Sequence, residues 1–318
     1  MRECPGIFHL PLLTLNHYQT IFLSITDVSV TVYDYCHNSL QFPLNRWDIA
    51  ILTGWMGRDK LPVNRITYPP NCFYVMGKEP LTMPIYDKPL EELVVYDPPM
   101  TKEPDFDAFW QATLAESAAT PLNAQVTQID YPAIGAKVYE VFYDGWRGAR
   151  ISGWYLLPDR PGPFPTLVQY HGYSGSKGEV YSYLMWALQG YAVLAIDVRG
   201  QSGNSSDPGQ YTGGHVSGWM TQGILDPQEY YYRGVYMDCV RAIDFACSRP
   251  EVDAQRIAVT GVSQGGGLTL AVASLDQRPI LAMPEVPYLC HYRRALEIAM
   301  RMPYLEIANY MRRWPKRE

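Results

Sequence analysis

Short apolar runs separated by turn residues recur along the last three-quarters of the chain, and their order predicts how it folds. Three runs follow one another with no helical segment between them, which predicts an antiparallel group of strands. Four later runs alternate with helical segments, which predicts parallel strands with helices on both faces of the sheet. The seven runs are 124–131, 138–146, 149–157, 166–170, 192–197, 256–260 and 280–286.

The segments around these runs contain no proline and have the composition of helices. The first begins after Pro104 with acidic residues in its first turn. A stretch rich in Gly, Ser, Asn and Asp, residues 201–214, predicts a long loop of the kind that often carries function. The predicted helices are 105–117, 179–188, 230–248, 268–275, 293–300 and 304–312. The fold class is therefore α/β, with a mostly parallel sheet and flanking helices.

Residues 1–82 lack the regular pattern that begins at Met83. Their apolar runs, such as 21–25 and 49–52, are short, and no sustained period of 2 or 3.6 residues connects them. They are either a small accessory domain or a non-native leader upstream of the true start, and the change of pattern favours the leader. We therefore expect an irregular or non-native extension over 1–82 and a folded domain over 83–318.

Composition excludes several classes of function. The chain is 47% hydrophobic and 18% charged with a net charge of −6, so no basic surface is expected to bind nucleic acid. No apolar run is long enough to span a membrane, and no clear cleavage site follows the N-terminus. The six cysteines form no C-x-x-C pair, which favours reduced, mostly buried thiols in a cytoplasmic protein.

A nucleophile elbow is predicted between the apolar run 256–260 and the helix that follows it. The turn reads Gly261-Val262-Ser263-Gln264-Gly265, the G-x-S-x-G pattern. A sharp strand-to-helix turn exposes the serine hydroxyl, and glycines two residues before and after it let strand and helix approach. The amide of Gln264, at the positive end of the helix, is then placed to face a developing oxyanion. The pattern alone is weak evidence, but its strand–turn–helix context makes Ser263 a candidate nucleophile.

A second oxyanion donor is predicted in the loop after the run 166–170. Tyr170-His171-Gly172-Tyr173 has the H-G pattern of such loops, and Gly172 permits an irregular backbone. In this interpretation the amide of Tyr173 faces Ser263. The alternative is a simple turn at the end of a strand, with Tyr173 as a packing aromatic residue.

These motifs, taken with several others, resemble the acetyl xylan esterase / cephalosporin-C deacetylase family (carbohydrate esterase family 7) of α/β-hydrolases. The resemblance covers residues 83–318, making this the esterase domain; residues 1–82 lie outside it, and Met83 resembles the family's natural start. The matching stretches are Tyr170-His171-Gly172-Tyr173, Arg199-Gly200-Gln201, Gly214-His215-Val216-Ser217-Gly218-Trp219-Met220, Gly223-Ile224-Leu225-Asp226, Tyr230-Tyr231-Tyr232-Arg233-Gly234-Val235-Tyr236, Gly261-Val262-Ser263-Gln264-Gly265-Gly266-Gly267 and Pro287-Tyr288-Leu289.

The resemblance implies a serine carboxylesterase that removes acetyl groups from short xylo-oligosaccharides and from cephalosporin C. It implies Ser–His–Asp chemistry without a metal or other cofactor, a cytoplasmic location and a homo-oligomer, the family hexamer. By match, Ser263 is the nucleophile and the amides of Tyr173 and Gln264 form the oxyanion hole. Arg199-Gly200-Gln201 matches a family signature, for which we expect an ion pair or a loop brace rather than catalysis.

The chain departs from the family where the triad acid and base are expected. In the family that the chain resembles, the triad acid and base both lie after two further strands. Here residues 264–318 contain only one Asp, Asp276, and one His, His291. Asp276 lies about 20 Å from Ser263 along the predicted helix, and His291 has no acid to orient it. His171 and His215 precede the serine and are expected to brace loops. We therefore expect no triad Asp or His in this chain, which would be a fragment truncated before the last strands.

Two functions follow from these observations. The first is an acetyl esterase present as an N-extended, C-truncated fragment, expected to be weakly active and to leave a sheet edge uncovered. The second is a non-catalytic relative that keeps the hydrolase scaffold for binding or assembly. A degenerate protein has no reason to retain Ser263 with its following glycines, which favours the enzyme. A peptidase or a dienelactone hydrolase on the same fold is disfavoured by the motifs at 199–201 and 214–220.

Overall fold

The computed structural model describes residues 22–26, 29–33, 39–43 and 87–315. The chain forms two compact units, residues 1–82 and 83–318. In the first unit, strands β1 (Phe22–Thr26), β2 (Ser29–Tyr33) and β3 (Ser39–Pro43) form an antiparallel sheet in that order.

The first of these strands corresponds to the apolar run predicted at 21–25, whereas β2 and β3 were not predicted. The second predicted run, 49–52, lies outside the described residues. The interpretation of 1–82 as a non-native extension stays a prediction.

The second unit is built on a seven-stranded sheet with the order β10-β9-β7-β8-β6-β5-β4. Its strands are β4 (Gln125–Ile129), β5 (Ala136–Asp144), β6 (Arg150–Pro158), β7 (Phe164–Tyr170), β8 (Ala192–Ile196), β9 (Val252–Val262) and β10 (Pro279–Glu285). Its helices are α1 (Leu90–Val94), α2 (Phe106–Ala118), α3 (Tyr181–Leu188), α4 (Tyr231–Cys247), α5 (Gln264–Leu275), α6 (Tyr292–Ile298) and α7 (Leu305–Arg313). Each predicted strand and helix of 105–312 is present, and α1 is additional.

The sheet divides into an antiparallel and a parallel part, as the order of strand-like runs predicts. β4, β5 and β6 pair antiparallel, and β6 joins β8 in the same sense. β8, β7, β9 and β10 run parallel. The hairpin between β5 and β6 turns at Arg147 and Gly148, with φ of 47° and 83°, so both residues adopt the left-handed conformation.

Alternate side chains of the strands enter two separate cores. Leu194 and Ile196 of β8 join the larger core, which also contains residues of α4 and α5. Val193 and Ala195 point to the opposite face, where they pack with side chains of α3. Because both faces are covered by helices, β8 is apolar at every position. The fold is the α/β-hydrolase arrangement expected from the sequence.

Strand β10 forms one edge of this sheet and pairs only with β9 among the described strands. Ile280, Leu281 and Val286 at this edge are 68%, 50% and 52% exposed. The expected uncovered edge is therefore present in the part of the chain that the structure describes. Unpaired strand groups beside exposed apolar side chains favour association with another strand.

Within residues 87–315, no helix has both the length and the apolar character required to cross a membrane. Three cysteines are described, and all three are free thiols. Cys239 is buried, Cys247 is half-buried and Cys290, in the loop before α6, is exposed. The expectation of mostly buried thiols therefore holds only for Cys239 among them, because the other two lie at a helix end and in a loop.

Candidate active site

Ser263 lies at the corner where β9 ends and α5 begins. Its backbone has φ 57° and ψ −113°, a conformation that non-glycine residues rarely adopt. The Ser263 amide donates to the Glu285 carbonyl over 3.0 Å, and its carbonyl accepts from the amides of Gly267 and Tyr288. These bonds tie the corner to the end of β10 and hold the strained conformation. The predicted nucleophile elbow is present.

The two glycines of the elbow allow β7, β9 and α5 to meet. A Cβ atom on Gly261 would lie 2.5 Å from the Tyr170 carbonyl oxygen. A Cβ atom on Gly265 would overlap the same oxygen. Any side chain at either position would therefore push the start of α5 away from the sheet and move Ser263 with it.

The loop after β7 lies directly beside Ser263, as predicted. A Cβ atom built on Gly172 would be 4.0 Å from Ser263 Cβ. Among the described residues, neither the Tyr173 amide nor the Gln264 amide donates a hydrogen bond, so neither donor has a partner there. Gly172 has no left-handed φ and has room for a methyl group, so the backbone freedom that glycine permits is not used there.

A side-chain network joins the two loops that carry these amides. Gln201 Oε1 accepts from the Ser174 amide over 2.9 Å, and Gln201 Nε2 donates to Gln264 Oε1 over 2.9 Å. Gln264 is fully buried and also accepts from the Tyr232 hydroxyl. Gln201 therefore braces the residue after Tyr173 against the residue after Ser263. The only sequence signal for this was its place in the 199–201 motif.

Arg199 of the same motif forms the expected ion pair. Its guanidinium donates two hydrogen bonds to Asp238, of 2.5 and 2.7 Å, and one to the Trp146 carbonyl. Arg199 and Asp238 are 3% and 2% exposed. A buried charge left without its partner is strongly destabilising, so the pair fixes the loop after β8 to α4. The prediction of a structural role is confirmed.

His171 braces the oxyanion loop through both ring nitrogens. Nδ1 donates to the Gly172 carbonyl over 2.7 Å, and Nε2 accepts from the Val198 amide over 2.9 Å. Burial lowers the pKa of His171 below 6.5, because a protonated ring would lose water contacts. The Gly172 carbonyl and Asp197 oppose this effect. The neutral ring matches the acceptor role of Nε2.

We expect this histidine to make folding stability depend on acidity. Because the pKa of His171 is lower in the folded than in the unfolded chain, its contribution is complete above about pH 6.5 and is lost as the pH falls. His171→Gln should reduce the slope of unfolding free energy against pH by up to about 1.4 kcal/mol per unit. Urea unfolding between pH 5 and 8 measures this slope, with the exposed His215→Gln variant as control. Equal slopes for wild type and His171→Gln would contradict this assignment.

The other candidates for a triad base are engaged elsewhere or exposed. His291 caps α6, with Nδ1 accepting from the Arg294 amide and Nε2 3.2 Å from the Tyr96 hydroxyl. His215 lies exposed in the long loop. Asp276 ends α5 and pairs with Arg278. Within residues 87–315, no histidine is hydrogen-bonded to Ser263 or to a carboxylate.

Comparison with known proteins agrees with this geometry. The family described as acetyl xylan esterase (AXE1) matches residues 83–318, nearly three-quarters of the chain. The chain belongs to the acetyl xylan esterase family. The matched region coincides with the unit that holds the seven-stranded sheet and the elbow.

Solved members of the acetyl xylan esterase family share this structure. Acetyl xylan esterase from Paenibacillus sp. R4 is 54% identical with a TM-score of 0.70, covering 72% of this chain and 74% of its own. Acetyl xylan esterase 1 from Thermoanaerobacterium sp. JW/SL YS485 is 34% identical with a TM-score of 0.69, covering 73% and 74%. Acetyl esterase Axe7A from Xylanibacter ruminicola is 30% identical over 243 residues, which are 68% of this chain. The chain spans about half of that relative's length, 55%.

Proposed function

We propose that the protein is a serine carboxylesterase that removes acetyl groups from acetylated xylo-oligosaccharides and from cephalosporin C. The observation that carries this proposal is the arrangement at the elbow. Ser263 lies on a strained corner beside the loop of Gly172, and the amides of Tyr173 and Gln264 are both without a partner among the described residues. A nucleophile next to two amide donors without partners is the arrangement that acyl transfer requires.

In this mechanism the Ser263 hydroxyl attacks the acetyl carbonyl carbon and gives its proton to a base. The carbonyl π electrons move onto oxygen, and the amides of Tyr173 and Gln264 donate to that oxyanion. The N-terminus of α5 adds favourable charge at the same point. The tetrahedral intermediate collapses, the sugar alkoxide leaves with a proton, and water then hydrolyses the acetyl-serine. No cofactor takes part in these steps.

The base is the part of the mechanism that residues 87–315 do not supply. A serine hydroxyl without a base is a poor nucleophile at neutral pH. We therefore propose that Ser263, Tyr173 and Gln264 form the acyl-transfer centre and that the proton acceptor comes from outside these residues. Asp276 and His291 are not part of it, because each is held by other partners.

The substrate class is supported by the family and by two solved members of it, both named acetyl xylan esterases. The proposal extends it to cephalosporin C on the motifs described above. We also propose a cytoplasmic homo-oligomer, the family hexamer, with neither nucleic acid nor membrane as a partner. Free thiols at Cys239, Cys247 and Cys290 and a net charge of −6 support this location and set of partners.

Acetate release from acetylated xylo-oligosaccharides and from cephalosporin C tests the proposal. We expect the protein, assayed with imidazole as added base, to release acetate, and Ser263→Ala to release none above background. Ser274→Ala is the matched control, because Ser274 is on the exposed face of the same helix. Equal release by wild type and Ser263→Ala would remove Ser263 from the mechanism.

A non-catalytic scaffold is the second candidate function. The observation that favours it is that the three histidines of residues 87–315 make no hydrogen bond to Ser263. Such a protein would bind acetylated sugars or partner chains without turning them over. Saturable binding of the acetylated substrate, combined with no acetate release at any imidazole concentration, would support the scaffold over the esterase.

A further inference from the structure

The carboxylate of Glu306 is buried beneath the loop that carries the oxyanion amide. Glu306 lies in the first turn of α7 and is 1% exposed. Its Oε1 accepts from the Tyr173 hydroxyl over 2.5 Å, and its Oε2 accepts from the Met220 amide over 3.0 Å. Burying a carboxylate without hydrogen bonds costs free energy, so these two bonds are needed to stabilise Glu306 in its buried position.

The same contacts fix the side chain of Tyr173 at its outer end. Besides donating to Glu306, the Tyr173 hydroxyl accepts from the Trp219 amide over 2.7 Å. The Tyr173 ring makes edge contacts with the rings of Trp219 and Tyr288, with centroids 5.3 and 6.1 Å away. Tyr173 is therefore a packing aromatic residue as well as a candidate oxyanion donor.

The loop around Gly218 is shaped to receive the carboxylate. Gly218 has a φ of 108°, and a Cβ atom at this position would overlap the Glu306 carboxylate. Burial raises the pKa of Glu306, and the hydrogen bonds from Tyr173 and Met220 oppose that rise. The loop at 214–220, the start of α7 and the Tyr173 loop thus meet at one carboxylate.

We infer that Glu306 is a positioning residue for the oxyanion hole. It acts through Tyr173: holding the hydroxyl fixes the ring, and a fixed ring sets the direction in which the Tyr173 amide points beside Ser263. A pre-oriented amide stabilises an oxyanion more than one that must reorient first. The inference rests on the proposed function, because it assumes that the Tyr173 amide is an oxyanion donor.

Phenylboronic acid, added with imidazole, is the probe for this role. When the Ser263 oxygen bonds to boron, its proton passes to imidazole, and the negatively charged tetrahedral boronate places a boron-bound hydroxyl in the oxyanion hole without turnover. We expect Glu306→Ala to weaken binding by about 10-fold or more, approaching the loss of one oxyanion donor, roughly 10²-fold. Glu306→Gln should weaken binding less than Glu306→Ala does, since its one amide oxygen can still accept from the Tyr173 hydroxyl while its NH2 group takes the place of the acceptor for the Met220 amide. The exposed Glu297→Gln is the matched control.

Tyr173→Phe tests the same contact from its other side and leaves α7 unchanged. We expect it to weaken binding as Glu306→Ala does, and the double variant to be no weaker than the worse single one. Urea unfolding confirms that each variant is folded under the assay conditions. If Glu306→Ala does not fold, Tyr173→Phe decides the result.

The outcomes separate the two proposals. Folded Tyr173→Phe or Glu306→Ala that binds phenylboronic acid within twofold of wild type, while Ser263→Ala does not bind it, overturns the role of Glu306 alone. Equal binding by wild type and Ser263→Ala overturns the proposed function, because the adduct then does not form at Ser263. Loss in Glu306→Ala with partial recovery in Glu306→Gln supports positioning, since the recovery follows the one acceptor oxygen that remains for the Tyr173 hydroxyl.

Discussion

Added imidazole is expected to accelerate hydrolysis of p-nitrophenyl acetate by the 318-residue chain by roughly 10²-fold or more, the contribution of a general base. The reason is that the elbow provides a nucleophile without a base. Ser263 lies at the elbow and the amides of Tyr173 and Gln264 have no partner among the described residues, but no histidine of residues 87–315 is hydrogen-bonded to the serine. A soluble imidazole can enter beside the half-buried Ser263 and take its proton. The rate should therefore rise with imidazole concentration and saturate.

Ser263→Ala separates this effect from the reaction of imidazole itself with the ester. In that variant only the slow, linear reaction of imidazole in solution should remain. Without imidazole, wild type and Ser263→Ala should differ little, because a nucleophile without its base contributes little more than binding does. A fast, Ser263-dependent rate in the absence of imidazole would show that the chain already holds a base.

Gly265→Ala is expected to destabilise the folded domain by more than about 3 kcal/mol, although alanine favours helices by about 1 kcal/mol over glycine. The added methyl would overlap the Tyr170 carbonyl oxygen and approach the His171 carbonyl oxygen at 3.3 Å. Both obstacles are backbone atoms of β7 and the loop after it, so no side chain can rotate away. The start of α5 must then separate from the sheet. Urea unfolding followed by circular dichroism measures the change.

Gly172→Ala is the control for that substitution, because it adds the same methyl group on the other side of Ser263. The nearest atoms to a Cβ at Gly172 are the Val262 carbonyl oxygen at 3.7 Å and Ser263 Cβ at 4.0 Å, which are ordinary contact distances. We expect its stability to stay within about 0.5 kcal/mol of wild type. If both variants lost stability equally, close approach of α5 to β7 would not be the cause.

Local sequence patterns predicted the sheet and the elbow because each depends on neighbouring residues. Strand β8 is apolar at every position since helices cover both its faces, and that pattern is visible in residues 192–196. The elbow is likewise encoded by small residues on either side of Ser263. The position of the loop after β7, beside Ser263, was also predicted correctly, because parallel strands end at the same edge of a sheet. Gly172 does not use the backbone freedom that glycine permits, because its φ lies outside the left-handed region.

The sequence by itself determined the α/β fold and the corner at Ser263, because these follow from periodicity and from the steric needs of a tight turn. Only the tertiary structure decided what holds that corner. Tyr173 and Glu306 are separated by 133 positions, and Gln201 and Gln264 by 63. Hydrogen bonds between such distant side chains leave no periodic signal, because any polar residue of suitable length fits the local pattern. Packing of α7 and the long loop brings these partners together.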